Sequence, residues 1–183
     1  MNQDIAAAVV ALRAGGVIAY PTEAVYGLGC DPHDEGAVTQ LFALKQRPPA
    51  QGVLLIAADF AQVEQYIDLA RMPAEALARA RASWPGPHTW VFPRASTTPA
   101  WLARGHAGIA LRVTAHPLAA ELCRSFGDAL VSTSANRHGK PPARSAADVR
   151  LDGHLAYVLE GVTGGLERPT PIRDAITGDM LRN

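Results

Sequence analysis

Hydrophobic positions along the chain alternate between two periods, 3.6 and 2, which predicts helices and strands in turn. Ile5, Val9 and Leu12 share one helical face, and Gly15-Gly16 stops that helix. Val17–Tyr20 follows as a buried strand ending at Pro21. A turn-rich segment follows. Asp34 can cap a helix that buries Val38, Leu41 and Phe42, and Pro48-Pro49 prevents its continuation. Val53–Ile56 is a second buried strand. Asp59 caps a short helix carrying Phe60, Val63 and Ile67, and Pro73 opens another that runs to about Ser83.

The second half repeats the alternation. Strands are predicted at Thr89–Phe92, Ile109–Val113, Ala129–Thr133 and Tyr157–Leu159. Pro117 starts a helix with Leu118, Leu122 and Phe126 inward, and a short helix falls near Ala146–Val149. Pro171–Arg182 reads as two short strands joined at Thr177-Gly178. Some strands follow one another with no helix between them, so the expected fold is α/β with a mixed, twisted sheet and helices packed on it. No linker or repeat divides the 183 residues, and a single domain over 1–183 is expected.

Composition narrows the class. With 48% hydrophobic residues the chain is too apolar to be disordered. The longest apolar run, Ile5–Leu12, is far shorter than a membrane span. The N-terminus lacks a signal peptide's positive charge, so a cytoplasmic location is expected. Cys30 and Cys123 form no CxxC pair, and Cys30 reads as a buried inert thiol.

Charge is balanced overall and uneven along the chain. Residues 1–68 hold eight acids and three bases, whereas 94–150 hold eight bases and three acids. An ordinary solvated face accounts for so small an excess, and an anionic partner is the sharper alternative. Arginine supplies 15 of the 17 bases, and the two lysines are Lys45 and Lys140. A lysine retained in such a chain suits a place where a compact point charge is wanted, and two survivors are also compatible with chance.

Standard chemical motifs fail. Gly27-Leu28-Gly29 begins like a dinucleotide fingerprint, but the third glycine position is Pro32. Gly139-Lys140 resembles a P-loop ending, but Pro141 replaces the Ser/Thr. The six histidines have no metal-ligand spacing. Four polar, turn-rich segments remain at predicted strand ends: Tyr20–Cys30, Lys45–Pro49, Gly108–Arg112 and Ser132–Asn136. In α/β sheets such ends gather ligands. Arg112, on an apparently buried strand, needs an anionic partner, either a structural Glu or a ligand. Together the four segments suggest a site for a polyanion.

The strings YPTEAVYGLGCDP (Tyr20–Pro32), LKQRPP (Leu44–Pro49), WPGPHTW (Trp84–Trp90), ALRVTAHP (Ala110–Pro117), STSAN (Ser132–Asn136) and PIRDAITGDMLR (Pro171–Arg182) carry a resemblance. Through them the chain resembles the YrdC/YciO family, and within it the short bacterial threonylcarbamoyl-AMP synthases of the TsaC type. The resemblance implies a concave, positively charged cavity. It also implies a nucleotidyltransferase that makes threonylcarbamoyl-adenylate and pyrophosphate from L-threonine, bicarbonate and ATP. Magnesium would accompany ATP without a dedicated protein site. Partner proteins would then move the threonylcarbamoyl group onto an adenosine beside the anticodon of certain tRNAs.

By the same resemblance the functional tetrad falls on Lys45, Arg47, Ser134 and Asn136. ATP would meet these four, the backbone at Gly108, and Arg182. Threonine would meet Thr22, Tyr26, Arg112, Ser132 and Thr170. The chain departs from the pattern at Ala24, where longer members carry a second threonine, and at Gln51, where many have Asn or Lys. Longer members also carry a C-terminal domain, so any lid it supplies would have to come from elsewhere here. Two rival readings are a ribosome-maturation or RNA-binding factor using the basic 94–150 stretch, with weak RNA binding, and a carbamoyl-transfer module of hydrogenase maturation. The first meets few stacking aromatics, 6% of residues, and the second lacks the accompanying domains.

Overall fold

Helix α1 (Gln3–Arg13) buries Ile5, Ala8, Val9 and Leu12, the stripe its periodicity predicts. The chain reverses through Gly15 at φ +78, where a side chain would be strained. The structure, a computed structural model, describes residues 3–46 and 51–182. Strand β1 (Ile18–Pro21) then pairs antiparallel with β2 (Tyr26–Cys30). The turn-rich segment after Pro21 therefore contains a strand that the sequence did not signal. Two glycines in Tyr-Gly-Leu-Gly-Cys disguise it, because glycine weakens the strand signal. Tertiary packing overrides that weakness, since every residue of β2 is buried.

Helix α2 (Glu35–Lys45) is capped by Asp34, whose carboxylate accepts from Ala37 N at 3.0 Å. It ends on Gln46 in the left-handed region at φ 50. Strand β3 (Leu54–Ala57) leads to α3 (Phe60–Glu64), which Asp59 caps as expected. Helix α4 (Ala74–Ala82), strand β4 (Thr89–Pro93) and a single unpredicted turn of helix, α5 (Ala100–Ala103), follow. Four residues are too few to show a helical period. Strand β5 (Gly108–Val113), helix α6 (Pro117–Phe126) and strand β6 (Leu130–Ser134) complete the middle of the chain. The expected short helix near Ala146 is a 3₁₀ turn over Ala146–Asp148. Short strands β7 (Tyr157–Val158), β8 (Ile172–Asp174) and β9 (Met180–Arg182) end the fold. None of the helices among the described residues is long and apolar enough to cross a membrane.

All nine strands join one sheet in the order β7-β1-β2-β6-β3-β5-β4-β8-β9. The pairs β1–β7, β3–β5 and β4–β8 are parallel and the others antiparallel, so the sheet is mixed. Its faces are treated unequally. One face carries Leu28, Val131, Leu55, Leu111 and Trp90 and packs on Val38, Leu41 and Val63. The other face carries Ile18, Tyr20, Ile56 and Leu130, which are covered by Ile5, Leu12 and Leu122 of α1 and α6. Beyond those two helices that second face is uncovered.

Register explains why the uncovered part is hollow. Gly29 lies opposite Ser132, Ser132 opposite Leu54, Leu54 opposite Ala110, and Ala110 opposite Val91. Directly paired residues share a face, so from Ser132 to Val91 this row floors the hollow with side chains no larger than leucine, while Gly29 lies against the Tyr20 ring. A Cβ on Gly29 would stand 2.7 Å from Tyr20 Cε1 and 2.8 Å from Val131 O. Since Val131 O is backbone, little can yield. Gly29→Ala is expected to destabilise the fold by about 2 kcal/mol. Urea unfolding checks this, and an unchanged midpoint would show that the sheet relaxes at that position.

Candidate active site

The hollow is a cavity of about 650 Å³. Period-2 geometry delivers its polar walls: Gly108, Ala110 and Arg112 are alternate residues of β5, and Ser132 and Ser134 are alternate residues of β6. Thr22 enters from the end of β1, Thr170 from the approach to β8, and Arg182 from β9. Residues drawn from four of the strings noted in the sequence thus meet, although they lie as far apart as Thr22 and Arg182. No carboxylate lines the cavity among the described residues.

Arg112 is 4% exposed, yet it reaches the cavity wall. Its NH1 donates to Thr170 Oγ1 at 2.8 Å, and its NH2 lies 3.5 Å from Glu23 Oε2. Both alternatives left open for this arginine therefore hold together: it has a carboxylate partner and also faces a ligand space. Arg182 shares that space. Its pKa is lowered, first by desolvation and then by the like charge of Arg112. Two guanidiniums facing one hollow without a lining carboxylate attract an anion.

Ser132 is oriented by a residue the sequence reading left out of the site. Buried Tyr20 donates its hydroxyl hydrogen to Ser132 Oγ at 2.9 Å. Ser132 Oγ is thereby an acceptor on that side, which leaves its own hydrogen for another partner. Burial above all pushes the Tyr20 phenol well above its ordinary range, so it stays a donor. Thr22 spends its hydroxyl locally, donating to Val25 O at 2.7 Å and fixing the turn between β1 and β2.

Lys45, Ser134 and Asn136 form a unit, but not as three side chains aimed at one point. The Lys45 ammonium, 3% exposed, donates to Ser134 O, and to Asn136 O at 2.9 Å. Asn136 Nδ2 donates to Arg137 O at 2.8 Å and Lys140 O at 2.6 Å. Lys45 and Asn136 thus hold the loop after β6, and of the three only Ser134 lines the cavity. Arg47 lies outside the described residues, as do Pro48 and Pro49. Tyr26 also stands off the cavity. Its hydroxyl donates to Gly161 O at 2.6 Å and accepts from Gly161 N at 3.0 Å.

His106 carried no signal in the sequence and reaches the cavity only through the fold, from the loop before β5; Pro142, and Ile172 of the Pro171–Arg182 string, line it too. Among the described residues no group of three or more His, Cys, Asp or Glu could hold a metal ion.

An α/β sheet with two guanidiniums and a row of hydroxyls around one hollow has the chemistry that suits an anionic ligand. Comparison with known proteins makes the class specific. A family profile described as Sua5/YciO/YrdC, Telomere recombination, matches residues 10–183. A threonylcarbamoyl-AMP synthase of Stenotrophomonas maltophilia is 54% identical over 178 residues, 96% of this chain and 96% of its own. The structure of P. abyssi Sua5 complexed with L-threonine superposes with a TM-score of 0.86 at 32% identity, over 93% of this chain and 50% of that one. E. coli YciO shares the fold, with a TM-score of 0.82 at 24% identity over 100% of this chain and 92% of that one. The chain belongs to the Sua5/YciO/YrdC family, and within it to the threonylcarbamoyl-AMP synthases.

Neither thiol lines the cavity. Cys30 and Cys123 are buried and free. Burial raises both, Cys123 to about 12. An unfolded thiol loses its proton near about 8.5, whereas the folded Cys123 keeps it. Its contribution to stability is therefore complete below that pH and declines as pH rises from there toward 12. A thiol reagent at pH 8 is expected to modify neither cysteine until urea unfolds the protein. Rapid labelling of the folded chain would contradict the burial.

Proposed function

We propose that the cavity binds L-threonine, bicarbonate and ATP side by side and forms threonylcarbamoyl-adenylate for the modification of tRNA next to the anticodon. The supporting observation is the convergence of Arg112 and Arg182 on one hollow that no described carboxylate lines. The substrates are those implied by the relatives' name, and the P. abyssi relative was solved with L-threonine. A cytoplasmic location and tRNA-modifying partner proteins belong to the same reading.

In this reading the amine of threonine and bicarbonate give a carbamate and water. A carbamate oxygen attacks the α-phosphorus of ATP, a P–O bond forms, and the bond to the β-phosphate oxygen breaks to release pyrophosphate. Such a transfer needs placement and charge neutralisation more than an enzyme nucleophile. Arg112 takes the threonine carboxylate. What supports this is its burial, which strengthens a charged pair, and its planar fork. Ser132, with Tyr20 behind it, donates to the amino acid, and Thr22 and Thr170 close its sides. Tyr26 acts from further back, through the loop at Gly161.

The nucleotide lies along Gly108, Ser134 and Arg182. Gly108 suits a close approach because it presents no side chain on the cavity wall. Lys45 and Asn136 hold the Ser134 loop, and Arg47 is assigned to phosphate charge from the sequence. The described lining offers hydroxyl oxygens rather than carboxylates, which suits magnesium held mainly by the phosphates it accompanies. When bound, that ion neutralises phosphate charge.

Pyrophosphate release that requires both threonine and bicarbonate, with no RNA present, tests the reaction. Arg112→Lys is expected to raise the KM for threonine about tenfold and to change that for ATP less than about twofold, because lysine cannot reproduce the planar fork. Equal shifts for both substrates would remove Arg112 from its role.

A further inference from the structure

Glu23 has no role in the reading above, and it is buried where an ionised carboxylate is costly. It is 6% exposed, in the turn between β1 and β2. Its Oε1 accepts from Thr114 Oγ1 at 2.6 Å and from Ala115 N at 3.2 Å. Thr114 Oγ1 accepts in turn from His116 N at 3.1 Å, just before α6. The carboxylate is therefore anchored by groups other than Arg112, on the segment that leaves β5 directly after Arg112.

Against that anchor the arginine is held loosely. Glu23 Oε2 stands 3.5 Å from Arg112 NH2 and has no hydrogen-bond partner, nor has Arg112 Nε. A closed bidentate fork would be shorter and would use up the guanidinium edge. Here the counter-charge makes the buried arginine tolerable without consuming that edge. Thr170 fixes the opposite side through NH1.

We propose that Glu23 is a positioning residue: its anchored carboxylate holds by charge the Arg112 guanidinium, which lines the cavity, in the orientation that meets the carboxylate of the amino-acid substrate. This rests on the role given to Arg112 above. Glu23→Gln tests it. The amide oxygen keeps the bonds from Thr114 and Ala115, so the amide nitrogen faces the guanidinium, donor against donor, and displaces it.

The expected result is a KM for threonine raised about tenfold, with that for ATP changed less than about twofold and kcat less than about threefold. Inhibition by L-threoninol, which lacks the carboxylate, stays within about twofold, because Arg112 has nothing to hold in it. Thr114→Val, which loosens the anchor, shifts threonine KM in the same direction by less, and it decides the matter if Glu23→Gln does not fold. Unchanged threonine KM in the folded variant overturns the proposal. So does an equal loss for ATP or threoninol, which would mark a purely structural role. If Arg112→Lys raises threonine KM while both Glu23→Gln and Thr114→Val are silent, only the positioning role falls. If the unmutated protein releases pyrophosphate without threonine, both readings fall.

Discussion

A guanidinium buried under a β-sheet has to be given a counter-charge, and much of this molecule is arranged around that requirement. Arg112 lies on β5, whose neighbours β3 and β4 continue the floor of the cavity. Glu23 reaches it from the turn between β1 and β2, and Thr170 from the approach to β8. Three segments distant in sequence are tied to one side chain. Removing any of them would leave a buried polar group without its partner, which is why such networks are costly to break.

The cavity exists because covering is incomplete where side chains are small. Ser132, Leu54, Ala110 and Val91 make up the part of the row that lines the cavity, none of them aromatic or charged, and α1 and α6 pack elsewhere on that face. Large residues at those positions would fill the space that a nucleotide and an amino acid need. The segment following β7 lies beside this space, held by hydrogen bonds from Gly164 N to Thr22 O and from Leu166 N to Glu23 O. Lys45 performs a comparable service below, where its ammonium gathers the carbonyls of the loop after β6. Binding residues are thereby carried on elements that other buried groups keep in place.

Much of the fold was legible because local signals agreed with tertiary structure. The stripe of α1, the Asp34 and Asp59 caps and the paired strands of the tail are local features, and each appears where its residues predict. Strand β2 was hidden, since its glycines speak against a strand unless the neighbours that bury them are known. The site divides in the same way. Gly108–Arg112 and Ser132–Asn136 already stood out as polar segments at strand ends, whereas Tyr20, Glu23 and His106 matter through contacts that no local pattern contains. Lys45 stood out as a retained lysine, but its target is backbone rather than the cavity. The base-rich 94–150 stretch is a poor guide to the basic site. Of its eight bases only Arg112 lines the cavity, and the second guanidinium comes from β9.

That two charged side chains converge on an amino acid and a nucleotide in one space is the claim from which the rest follows. A crystal structure with L-threonine and a non-hydrolysable ATP analogue examines it directly. The account requires both molecules in the same cavity, with the threonine carboxylate within about 3 Å of Arg112 and the phosphates beside Ser134 and Arg182. Threonine seated elsewhere, or lying in the cavity with its carboxylate turned away from Arg112, would contradict it.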